Sequence, residues 1–192
     1  HESWRQALAD LWNLHQHSPR EKQIQLTVEE MNILSPSFHQ IVYDGGQCPK
    51  LSAAINPTLN LRAIEETYIR AQPEVVVVDD LLTPEALKAL RRFCLEATVF
   101  KKSFAPGYIN SLLYSGFATP LLLQIVDQLR LSLPRIFLQH RLHLGWAIKY
   151  DSTLRGIPLH ADFAAINVNL WITPDSANLD PESGGLTIWD KE

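Results

Sequence analysis

His160 and Asp162 stand two residues apart, after a Gly156-Ile157-Pro158 approach that favours extended chain. In extended backbone, side chains at i and i+2 share a face, so the imidazole nitrogen and the carboxylate oxygen can converge on one ion. That mixed donor pair suits Fe(II), which two His and one carboxylate hold on one side, leaving positions open for other ligands. Asp162 would part-neutralise the metal, so its loss should be the more damaging. A His-x-Asp triplet alone is common and can equally be a hydrogen-bonded pair in a surface loop. Its surroundings carry the weight.

The elements that must position the pair can be read from periodicity. Leu142, Leu144, Trp146, Ile148 and Tyr150 alternate with His143, Gly145, Ala147 and Lys149, the pattern of a half-buried strand. His140 and His143, three apart, then point to opposite faces and read as structural. A second alternation sets Ile166, Val168, Leu170 and Ile172 against Asn167, Asn169, Trp171 and Thr173; a third strand, Leu186 to Trp189, follows Gly184-Gly185. Upstream, Thr83-Pro84-Glu85 and Thr119-Pro120 each combine a capping hydroxyl with Pro at the first helical position. They start helices to about Glu96 and Arg130, with Tyr108 to Phe117 extended between them. Val75 to Val78 reads as a buried strand. Trp4, Leu8, Leu11, Trp12 and His15 recur at helical spacing after Ser3, a short helix is expected over 61–71, and Asp44 to Pro49 is a turn-rich connector. Helices first and strands later give an α+β class with an antiparallel sheet. A helical segment, 1–72, precedes a β-rich domain, 73–192.

Composition narrows the function classes. The 192 residues carry a net charge of -4, with 46% hydrophobic and 20% charged residues, the balance of a soluble globular chain with one sizeable core. No basic excess points to nucleic acid. No apolar run nears the roughly 20 residues that cross a bilayer, and no secretory leader pattern is present. Cys48 and Cys94 form no CxxC pair, so reduced thiols and a cytoplasmic setting are expected. The chain opens on His1 rather than Met and stops at Glu192, directly after a strand-like run. A fragment, with material missing on both sides, is the expectation.

Taken together, Trp146-Ala147-Ile148-Lys149-Tyr150, Gly156 to Asp162, Asn167 to Pro174 and Ser183-Gly184-Gly185-Leu186 resemble the 2-oxoglutarate and Fe(II)-dependent oxygenase superfamily. The closest branch is prolyl-hydroxylase-like, including bacterial members joined to tetratricopeptide repeats. The resemblance runs from about Val75 to Trp189. It implies a double-stranded β-helix (jelly roll) with supporting helices, iron held by His160 and Asp162, and 2-oxoglutarate and O2 as co-substrates. It implies decarboxylation to succinate and hydroxylation of an unknown protein or small-molecule substrate. Tyr150 matches a position where such enzymes often set a tyrosine against 2-oxoglutarate, and an ordinary core aromatic is the other reading. Asn169 and Trp171 would line the co-substrate or substrate pocket, or hold neighbouring backbone. Gly184-Gly185 reads as a tight turn.

One departure is serious. The family pattern needs a second iron-binding His and then an Arg or Lys for the distal carboxylate, but after Asp162 the sequence has no His, no Arg and only Lys191. The chain by itself cannot complete that site, so the fragment is expected to be inactive alone. Two rival classes remain open: a non-catalytic jelly-roll binding or scaffold domain, and a cupin-like metalloprotein. The first has no need of the His-x-Asp pair; the second needs further His or Glu close after His160, where Phe163-Ala164-Ala165-Ile166 stands instead.

Overall fold

The computed structural model describes residues 2–17, 24–34, 41, 48–104, 107–151, 159–178, 182 and 185–189. Among the described residues, helices and one small antiparallel sheet give an α+β fold. The chain divides into two compact units: His1–Gly46, Glu96–Ala118 and Leu144–Ala161 in the first; Gln47–Leu95, Thr119–His143 and Asp162–Glu192 in the second.

In the first unit, α1 (Glu2–His15) and α2 (Val28–Leu34) pack together. α1 is already under way at Glu2, so Ser3 lies inside the helix rather than capping it. Ala7, Leu11 and His15 form its less exposed stripe, while Trp12 is 69% exposed. Thr27 and Glu30 form a reciprocal cap at the start of α2. The Glu30 backbone N–H donates to Thr27 Oγ1 (3.2 Å) and the Thr27 N–H donates to Glu30 Oε2 (2.7 Å). The other carboxylate oxygen meets His15 Nε2 at 2.8 Å, tying the two helices together.

The sheet of this unit runs in the order β1-β2-β3, from Lys102–Phe104, Tyr108–Leu112 and Trp146–Tyr150. Both pairings are antiparallel, with Phe104 opposite Tyr108 and Tyr108 opposite Tyr150. The expected extended run to Phe117 therefore ends at Leu112. There the Ser115 hydroxyl takes the Leu112 N–H (2.8 Å) and closes a 3₁₀ turn, Leu113–Ser115. Gly116 follows at φ +114°, and a Cβ there would lie 2.6 Å from Val99 Cγ1. Only Gly fits that position.

In the second unit, α3 (Leu61–Arg70), α4 (Pro84–Glu96) and α5 (Pro120–Ser132) start at side-chain caps, while the single turn α6 (Pro134–Phe137) follows Leu133, which offers none. Asn60 Oδ1 accepts from the Ala63 N–H, Thr83 Oγ1 from Ala86 and Thr119 Oγ1 from Leu122. The Thr83 hydroxyl also donates to the Ala53 carbonyl. Its core draws on Ala86, Leu90, Phe93 and Cys94 of α4 and on Leu121, Leu122, Ile125 and Leu129 of α5. Leu87 is exposed, and Leu121 and Gln124 are buried. Gln124 and Gln128, one turn apart, hold the segment before α3. Gln124 accepts from the Leu51 N–H and donates back to its carbonyl; Gln128 Oε1 accepts from both Ala54 and Ile55 N–H.

Three expected strands are not formed. Val75 to Val78 makes no ladder: Val75 and Val77 are exposed and Val76 and Val78 half-buried. The bridge in this region pairs Leu82 with Ile55 instead. The strand read from Leu142 begins only at Trp146, and Leu142 and Leu144 are exposed. Residues 166–173 and 186–189 form no ladder either. Ile166, Leu170 and Ile172 are half-buried while Asn167, Asn169, Trp171 and Thr173 are exposed. That alternation survives except at exposed Val168. The cause is that period two selects a face, whereas a strand also needs a neighbour to take its N–H and C=O groups. Among the described residues none does so here.

Candidate functional site

Tyr150 ends β3 in the first unit. Tyr108 lies directly opposite, its ring centroid 5.9 Å away and tilted by 46°, and stacks in turn on Phe104 at 4.4 Å. The three rings form a row across the three strands. Partial burial, then the neighbouring Tyr108, push the Tyr150 phenol above its ordinary value of 10, so at neutral pH it keeps its proton and can donate. Beside the row, on the same face, Asn110 Oδ1 is buried with no hydrogen-bond partner among the described residues. Tyr108 and Phe104 were not singled out from sequence; the signal was an aromatic at both ends of a short β-hairpin, Phe104-Ala105-Pro106-Gly107-Tyr108.

His160 lies near the end of the first unit, in a run that is not laddered, and is exposed. Asp162 begins the last segment of the second unit and is exposed as well. The Asn167 amide donates to Asp162 Oδ2 at 3.2 Å, and the Ala164 N–H donates to the Asp162 carbonyl at 2.9 Å. Asp162, Phe163, Ala164 and Ala165 line an open depression. Asn167 thus orients the carboxylate, a role its place on the polar side of the expected strand did not announce. Asn169 is exposed and Trp171 is 66% exposed, neither within a strand. The Gly156-Ile157-Pro158 approach, Asp44 to Gln47 of the connector and Ser183-Gly184 lie outside the described residues.

Among the described residues, no group of three or more His, Cys, Asp or Glu side chains is assembled to hold a metal ion. His160 and Asp162 offer two donors, one short of a facial triad. The described residues therefore do not by themselves fit an iron centre. Cys48 and Cys94 are both buried, and burial raises the Cys48 thiol pKa against the opposing hydrogen bond from Thr119, so Cys48 is not a ready thiolate ligand. Among the described residues, no helix is long and apolar enough to cross a membrane. Comparisons with models of protein families, with characterised proteins and with solved structures return no match.

Proposed function

We propose that the chain contributes His160 and Asp162 as two iron ligands of an Fe(II)- and 2-oxoglutarate-dependent oxygenase of the prolyl-hydroxylase-like branch, built on a jelly roll. One observation carries this reading: the order and spacing of the four sequence motifs around the pair, from Trp146 to Leu186. Two structural facts support it. Tyr150 presents a protonated phenol, the donor that a carboxylate of 2-oxoglutarate requires. Apolar side chains of the two unladdered period-two runs, Val168, Leu186 and Ile188, are about half-exposed, as expected for strands that lack their sheet neighbours.

The reading also has a requirement. A third ligand and a cation for the distal carboxylate must come from residues other than those following Asp162 in these 192, so no catalytic step is assigned to the side chains present.

The test is succinate release by the protein encoded by the whole reading frame. It is expected to depend on Fe(II), 2-oxoglutarate and O2. Groups that merely orient metal ligands are worth 10–100-fold, so Asp162→Ala, which removes a ligand, should cost more than about 100-fold. Unchanged turnover in that variant refutes the ligand assignment. In the 192-residue chain, Mn(II) should broaden the NMR signals of His160 and Asp162 only weakly, and Asp162→Ala should remove the effect.

A further inference from the structure

β3 pairs on one side with β2 and forms an edge of the sheet. The Leu113 N–H donates to the Gly145 carbonyl and the Asp151 N–H to that of Gly107, bracketing the β2–β3 ladder at both ends. In an antiparallel ladder hydrogen-bonded pairs recur at every second residue, so Gly145, Ala147, Lys149 and Asp151 turn their backbone groups toward β2. Trp146, Ile148 and Tyr150 turn theirs outward, where no strand of the sheet lies among the described residues.

The two edges of this sheet are treated differently. β1 is three residues long, its strand begins with exposed Lys102, and Lys101 precedes it. Short length and lysines are the ordinary defences of an edge. β3 has no proline, and its one charged side chain, Lys149, is drawn over the Phe100 ring at 4.1 Å. Trp146 and Tyr150, at 37% and 54% exposure, flank an edge with no guard.

We propose that this edge pairs with the β3 edge of a second copy of the chain, antiparallel about a two-fold axis at Ile148. The sequence Trp146-Ala147-Ile148-Lys149-Tyr150 is self-complementary in that register. Ile148 faces Ile148 of the second copy, and Trp146 faces Tyr150 in both directions. All three are outward-facing residues, so each pair can exchange two hydrogen bonds. Trp–Tyr is an aromatic cross-strand pair of the kind that stabilises sheets. On the opposite face Lys149 meets Ala147 and no like charge. The Phe104–Tyr108–Tyr150 row would then run on into Trp146 of the neighbour. A different occupant, such as a strand of unrelated sequence, has no reason to match this symmetry. Self-pairing does, and it closes with two copies.

Because a single strand edge lies at the small end of interfaces, the association should be concentration-dependent. Sedimentation velocity on the full chain is expected to show a monomer that converts to twice its mass as concentration rises. Ile148→Lys sets like charges on the two-fold axis and should leave only monomer. A cross-link reads the register independently of that variant's folding. In a hydrogen-bonded antiparallel pair the facing Cα atoms are about 5.5 Å apart, within disulfide reach. Ile148→Cys should therefore give a covalent dimer on oxidation and Lys149→Cys should not, since native Cys48 and Cys94 are buried. Mass that stays at one chain at every concentration overturns the proposal. So does equal cross-linking at both positions, or slow amide exchange at Trp146, Ile148 and Tyr150 in dilute monomer, which would place a segment of the same chain on the edge.

Discussion

At the scale of single residues, Glu30 concentrates the most polar work. Hydrogen bonds from the Thr27 backbone and from His15 hold its carboxyl below the ordinary value near 4.5. A depressed carboxylate contributes stability that is complete above the unfolded pKa and lost as pH falls through the folded one. The α1–α2 pair should therefore loosen in acid, from about pH 4.5 downward. Circular dichroism of the wild type against Glu30→Gln checks this: the variant should be weaker at neutral pH and should lack the acid-dependent step. Thr83 is a second such residue, because its hydroxyl both caps α4 and satisfies the Ala53 carbonyl. Thr83→Ala should lower stability by about 1–2 kcal/mol in urea unfolding. The capping role was legible in the Thr-Pro-Glu sequence. The bond to Ala53 was not, since it joins residues that no local pattern relates.

At the scale of elements, what the sequence made plain was what local chemistry decides. Thr119-Pro120 opens α5 where expected, α3 falls within the expected 61–71, and α4 runs to Glu96. The strands were less legible, because alternation in 166–173 and 186–189 says which side should be buried and nothing about who supplies the neighbour. The site suffers for the same reason. His160-Ala161-Asp162 could be read as a donor pair, but Asn167 on Asp162 depends on the turn that follows, and the Tyr108–Tyr150 contact depends on which strands pair. Gly116 is an element-scale prediction: Gly116→Ala adds a Cβ against Val99 at a left-handed φ. It should cost more than about 1 kcal/mol by thermal or urea unfolding, where an unstrained Gly→Ala would stabilise.

At the scale of the whole molecule, apolar side chains are unevenly exposed along the sequence. Leu159, Phe163, Trp171 and Trp189 are each more than half exposed, while Leu90, Leu121 and Ile125 are almost wholly buried. Brief chymotrypsin digestion should therefore cut after Phe163 well before it cuts after buried Phe93 or Phe117, and mass spectrometry of the first fragments checks the order. The glutamine clamps of α5 have a temporal consequence as well. The N–H groups of Leu51, Ala54 and Ile55 find their acceptors 73 or 74 residues further along the chain. At synthesis rates of about 5–20 residues per second, that stretch waits roughly 4–15 s on the ribosome before Gln124 and Gln128 exist. Until then those three N–H groups lack their native acceptors, so this part of the second unit can close only after α5 has been made.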